Sequence, residues 1–276
     1  MKKIICVVLI VAMFAFATTG CSSAITNAVK SAVASSIASD KASDSSGNSD
    51  TSKESPAASM TATTGQKVGD SFKNYLTAKS SLVSNMTSAM GDDQSMALLG
   101  MGLLGVSLMD VSLIPLTLVG LGEDPQTAAA ALGFLGAEGV KYSANGNEYK
   151  IEYKDSNGKS TAYDSKYDAG TGSLTSTMTQ DGQFYMLTEY TTVKDGYAGQ
   201  IYYKNDDGTF ETVKILTDAN GTKGIIGMLH KQSSQPATIF GKGDGVGADF
   251  GKDCTDWYVL ANGKVSASVD GQSYNQ

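Results

Sequence analysis

Asn-Gly and Asp-Gly dipeptides punctuate the second half of this chain, among them Asn145-Gly146, Asn157-Gly158, Asp181-Gly182, Asp195-Gly196, Asp207-Gly208, Asn220-Gly221 and Asn262-Gly263. Such pairs supply the positive φ that tight and bulged hairpin turns require. The run from Asp168 to Gly172 adds a further glycine-containing turn. Between these turns the hydrophobic period is two. In Glu148-Tyr149-Lys150-Ile151-Glu152-Tyr153-Lys154 the tyrosines and isoleucine share one face and the charges share the other. That is the pattern of a half-buried antiparallel strand. The expectation is a meander of about nine or ten strands from roughly 140 to 270.

The first half has a different period. Over 65–90, residues Val68, Phe72, Tyr75, Leu76, Leu82, Val83, Met86 and Met90 fall on one side of a 3.6-residue helix, and Gly91 supplies its stop. Residues 96–122 hold one charge, Asp110. Their length would allow a membrane span. An acid at mid-segment costs about 2.5–3.5 kcal/mol on insertion scales, Pro115 would break or kink the helix, and no lysine lies close to either end. The preferred reading is a hairpin-like pair of buried segments, with lipid contact or a true span as alternatives. Asp124-Pro125 marks another helix start, running to about Leu135, with Gly136 and Gly139 after it. A sheet with one apolar face must cover that face, and the three apolar helical segments are the available cover. The predicted fold class is therefore α+β: N-terminal apolar helices packed on a long, curved antiparallel β-meander, an open barrel-like sheet. Residues 65–139 form the helical segment and 140–276 the meander, together one domain.

The extreme N-terminus is built otherwise. Lys2 and Lys3 precede an uncharged apolar stretch, 4–17, and then Thr18-Thr19-Gly20-Cys21. A positive start, a short apolar core and small residues before a cysteine resemble the signal peptide and lipobox of bacterial lipoproteins, although the family pattern prefers Leu where this chain has Thr18. The resemblance implies that 1–20 is a signal peptide. It also implies that Cys21 becomes the first mature residue, carrying a diacylglyceryl thioether and often an N-acyl chain such as palmitate. Ser22 after the cysteine resembles the default outer-membrane signal of diderm bacteria. The alternative is an ordinary signal peptide cut nearby, with Cys21 a plain thiol. Residues 21–64, rich in Ser, Ala, Asp, Lys and Thr, read as a lipid-anchored flexible tether. Within it, Ile25, Val29, Val33 and Ile37 make a narrow helical stripe that suits either a short helix near the anchor or transient helix.

Chemistry is sparse. Loss of 1–20 removes two lysines and no acid, taking the net charge from −7 to −9. An acidic chain without a single arginine disfavours nucleic acid and bidentate phosphate clamps. With Cys6 removed and Cys21 lipidated, Cys254 stands alone in the mature chain and reads as a small buried hydrophobe. His230, the one histidine, reads as a strand-end surface residue; a triad or a histidine-rich metal site is not supported. Asp155-Ser156-Asn157-Gly158, Asn205-Asp206-Asp207-Gly208 and Asp218-Ala219-Asn220-Gly221 carry fragments of a calcium loop but lie between strands, so ordinary Asx turns are expected. Residues 241–252, with Asp244 and Asp249, read as a loop between late strands. Tyr185, Tyr190, Tyr197, Tyr202 and Tyr203 suit either a ligand groove or cross-strand packing, and packing is preferred; exposed tryptophans for carbohydrate are not at hand, since Trp257 is the one tryptophan.

These observations predict a lipid-anchored cell-envelope protein, held through Cys21 at the outer membrane if the host is diderm. Its expected role is non-catalytic, binding a hydrophobic ligand or a protein partner, with no cofactor, metal or catalytic residue assigned. In outline such a fold is similar to outer-membrane lipoprotein carriers, which hold acyl chains between sheet and helices. A structural or surface-display lipoprotein is the alternative, and membrane insertion through 96–122 the third.

Overall fold

The computed structural model of the chain describes residues 59–91, 94–118, 129–130, 132–133, 135–240 and 254–275. The expected signal peptide 1–20, Cys21, the expected tether up to residue 58, most of the helix expected over 124–135, and the expected 241–252 loop with Asp244 and Asp249 lie outside the described residues. The described residues all belong to one unit, Ser55–Gln276.

Eleven strands pair antiparallel in sequence order: β1 (Glu138–Asn145), β2 (Glu148–Lys154), β3 (Ser160–Asp168), β4 (Ser173–Gln180), β5 (Gln183–Val193), β6 (Gly196–Lys204), β7 (Phe210–Asp218), β8 (Gly224–Gln232), β9 (Asp256–Ala261), β10 (Lys264–Val269) and β11 (Gln272–Asn275). The sheet is not closed, so β1 and β11 are edges. The turns have the chemistry their sequences announce. Asp181-Gly182 and Asn262-Gly263 have positive φ at both positions, the two-residue form whose twist matches the strands. Asp270-Gly271 does the same and creates β11, a strand beyond the nine or ten expected. The five-residue connection after β2 and that after β6 turn on Asp155 and Asp207 instead. Asp155 Oδ1 accepts the Asn157 and Lys159 amides, each at 2.9 Å. Asp207 Oδ1 accepts the Thr209 amide at 2.9 Å and its hydroxyl at 2.6 Å.

The alternation carries a hydrophobic face. In β3, Thr161, Tyr163, Ser165 and Tyr167 are buried while their neighbours are not. Register then joins Tyr167, Leu174, Tyr190, Gly199, Ile215, Ile226, Tyr258 and Ala267 into one row across β3 to β10. Every member of that row is buried.

Among the described residues the sheet is preceded by helices α1 (Ser59–Met90), α2 (Gln94–Leu108) and α3 (Asp110–Thr117), and residues 129–130 and 132–133 are also helical. Helix α1 begins earlier than the periodicity suggested. Its buried side, with Phe72, Tyr75, Leu76, Leu82, Val83, Met86 and Met90, is the predicted stripe. It ends at Gly91, which takes φ +62. The turn between β7 and β8 lies flat on this helix. Asn85 Nδ2 donates to the Gly221 carbonyl at 2.8 Å. A Cβ on Gly221 would come within 2.5 Å of the Ala78 carbonyl oxygen and the Leu82 nitrogen, so this Gly is fixed by space as well as by its φ of +68.

Residues 96–118 depart from the expected hairpin. Helices α2 and α3 are separated only at Met109, which keeps right-handed helical dihedrals (φ −62, ψ −22). The chain tightens there, with the Ser112 amide donating to the Met109 carbonyl at 3.1 Å. Pro115 lies inside α3, where it lacks an N–H to donate to the preceding turn. A hairpin would need a reversal, and no turn residue occurs between Leu108 and Asp110. Nor is the pair buried all round. Leu99, Leu103 and Val106 are buried, whereas Met101 is 46% exposed. Among the described residues no helix is long and apolar enough to cross a membrane.

Candidate functional site

The region between helices and sheet is where a hydrophobic ligand would sit, and its described contacts are side chain to side chain. Phe72 and Tyr75 of α1 meet Tyr190 of β5 and Tyr197 of β6 with ring centroids 5.0 to 6.2 Å apart. Tilted and edge-on geometries of this kind add to area burial. Ser71 Oγ and Tyr190 Oη are 2.6 Å apart. The Tyr75 ring fills the space above Gly199, where a Cβ would meet its hydroxyl at 2.1 Å. On α2, Gly102 accommodates Tyr258 of β9 in the same way, at 2.4 Å from the hydroxyl. On α3, the Ser112 carbonyl accepts the Tyr163 hydroxyl of β3 at 2.8 Å. Burial pushes the phenols of Tyr75 and Tyr163 above their ordinary range.

An ion pair lies inside this apolar region. Lys79, fully buried, binds Asp110 at the start of α3. The same ammonium donates to the Val106 carbonyl at 2.8 Å. Burial pushes the Asp110 carboxyl up, and the Lys79 charge and hydrogen bond pull it back. A buried pair of this kind ties three elements together at little net gain, because desolvation offsets the attraction. It has no exposed nitrogen or oxygen chemistry to offer a substrate.

The other polar cluster is at the ends of β7, β8 and β9. His230 lies on the β8 end, as expected, but not as an isolated surface residue. Its Nδ1 is 2.6 Å from Glu211 Oε2 and its Nε2 3.2 Å from Asp256 Oδ2. Both ring nitrogens are thus engaged, which leaves none for a nucleophile or an ion. Glu211 also accepts the Lys231 amide at 3.1 Å, and Asp256 the Asp270 amide at 3.0 Å. Among the described residues no group of three His, Cys, Asp or Glu side chains is arranged to hold a metal. A third acid, Glu189, is buried on the far face of the sheet. It accepts the Ile239 amide at 2.9 Å and Gln200 Nε2 at 3.2 Å, while the same Gln200 nitrogen donates to the Ala237 carbonyl at 3.0 Å. These bonds fasten residues 237–239 over β5 and β6.

The remaining candidates separate. The five tyrosines do not share one groove. Tyr190 and Tyr197 face α1, Tyr202 packs with Phe184 and Phe210, and Tyr185 is exposed. Cys254 is buried, two residues before Asp256. The carboxylate of Asp218 is taken up by its own turn, accepting the Thr222 amide at 2.7 Å and the Lys223 amide at 3.1 Å. Sequence reasoning missed the partners of Asp110 and His230. Lys79 was open to discovery, since it stands on the apolar stripe of α1. Glu211 and Asp256 were not, because strand register brings them to His230. No family model, no curated protein and no solved structure matches this chain.

Proposed function

We propose that this chain is a lipid-anchored cell-envelope protein whose folded domain has a non-catalytic role, exerted through its surface on a protein partner or as displayed structure. Cys21 is the proposed lipidation site, and the outer membrane the proposed address in a diderm host. In this reading the helices cover the apolar face of a curved, open barrel-like sheet as one domain with it, and residues 96–118 are cover rather than a span.

The supporting observation is how the helices meet the sheet. Tyr75 against Gly199, Tyr258 against Gly102 and the Phe72–Tyr190–Tyr197 cluster occupy the middle of that contact. A carrier of acyl chains needs a hollow of roughly several hundred Å3 there. Side chains packed in this manner favour the display or partner-binding reading over the carrier reading. Enzyme chemistry has no support from the two charged clusters, because Lys79 with Asp110 and His230 with Glu211 and Asp256 engage one another.

The test is a Cys21→Ala variant beside the wild type in the native host. The wild type should fractionate with membranes and incorporate labelled palmitate. The variant should lose the label and leave the membrane fraction. A variant that stays membrane-bound would refute the anchor. Tight, saturable uptake of a fluorescent fatty acid by the wild type would restore the carrier reading.

A further inference from the structure

His230 sits where β8 finishes and β7 and β9 begin, and each of its two nitrogens faces a carboxylate on a different neighbouring strand. We propose that His230 is a proton-operated clamp: doubly protonated, it donates to Glu211 of β7 and Asp256 of β9 together, and on losing a proton it releases one of them.

Donor counting carries the argument. A neutral imidazole has one N–H and an imidazolium has two. Against two carboxylates, the contacts at both nitrogens, 2.6 and 3.2 Å, are satisfied together only by the charged ring. Both carboxylates are held in place by further strand-end bonds. Glu211 accepts the amide of Lys231, which adopts φ +50, at the point where the β7–β8 register shifts between Phe210 and Thr212. Asp256 accepts the amide of Asp270 in the β10–β11 turn. Deprotonation therefore leaves a nitrogen lone pair against an acid and removes the cation between two anions.

On β6, Tyr203 faces Glu211. On β9, Tyr258 faces Asp256 and Asp270, and Tyr274 of β11 lies beyond it. Lys231, next to His230, is within Coulombic reach of Asp207. Among the described groups acting on His230 itself, the two carboxylates are the charged ones. Partial burial opposes the charge on His230, but hydrogen bonding and attraction from Glu211, then from Asp256, outweigh it and hold the pKa above the ordinary value. A raised folded-state pKa fixes the sign. The clamp contributes fully below the unfolded value of about 6.5 and is lost as pH rises through the folded value.

The chain's single histidine makes the experiment direct. The full mature chain in detergent, with isotopically labelled histidine, should give one imidazole titration with its midpoint above about 6.5. Glu211→Gln and Asp256→Asn should each lower that midpoint. In the wild type, hydrogen-exchange protection at the Lys231 and Asp270 amides should fall across the midpoint, by about tenfold for each unit the midpoint exceeds 6.5. A midpoint at or below 6.5, or unchanged protection at both amides across it, overturns the clamp. These wild-type readouts decide the matter even if a variant fails to fold.

Discussion

Replacing Lys79 with Met should be among the most damaging single changes in the helical layer. Met keeps most of the length and the packing but removes the charge. Asp110 is then a buried carboxyl without its cation, and the Val106 carbonyl loses a donor. Removing one member of a buried pair costs about 3–5 kcal/mol. Burial already pushes the Asp110 carboxyl upward and Lys79 is what restrains it, so its folded-state pKa rises further in the variant. For an acid with a raised folded pKa the native state binds the extra proton. Stability of Lys79→Met should thus decline as pH rises, by up to about 1.4 kcal/mol per unit while Asp110 titrates. Adding Asp110→Leu removes the stranded charge and should restore stability to within about 1–2 kcal/mol of wild type, since apolar replacement of a buried pair is often neutral. Urea unfolding of the mature chain carrying Cys21→Ala, followed by the fluorescence of Trp257 at pH 5 and pH 8, measures all three proteins. A cost below about 1 kcal/mol for Lys79→Met would refute the reasoning. So would a double variant no more stable than the single.

Two further changes probe the contact between α1 and the sheet. Gly199→Ala places a methyl 2.1 Å from the Tyr75 hydroxyl and should lower the urea midpoint by the equivalent of about 1–3 kcal/mol, the usual cost of overpacking. Tyr75→Phe removes a buried hydroxyl that has no hydrogen-bond partner and should be neutral or stabilising by about 1 kcal/mol in the same assay.

Local rules were enough for the sheet. The Asx-Gly pairs placed most turns, and the alternation in 148–154 placed the buried face of β2, because hairpin pairing depends on residues adjacent in sequence. Asp270-Gly271 carries the same signal as its fellows and was passed over, at the cost of β11. The helical half was legible as a stripe on α1 but not as a topology. Residues 96–118 are apolar at nearly every position, so their period does not say which side is covered, and Met101 reached solvent where burial all round was expected. The polar clusters were the least legible part. Glu189 and Gln200 stand opposite each other only through the β5–β6 register. Glu211 reaches His230 past an irregular β7–β8 pairing. The Lys79–Asp110 pair is the exception in principle: a lysine on an apolar helix stripe and a lone acid in an apolar run each need a partner, and each was the other's best candidate.

The proposed role rests on the helices and sheet filling the space between them with their own side chains. Native mass spectrometry of the full-length protein, extracted from its host membrane in mild detergent, tests this most directly. The expected spectrum contains the mature chain with its covalent lipid on Cys21 and nothing more. A stoichiometric, non-covalently bound lipid that departs on collisional activation would contradict it, and would make residues 96–118 the floor of a binding site.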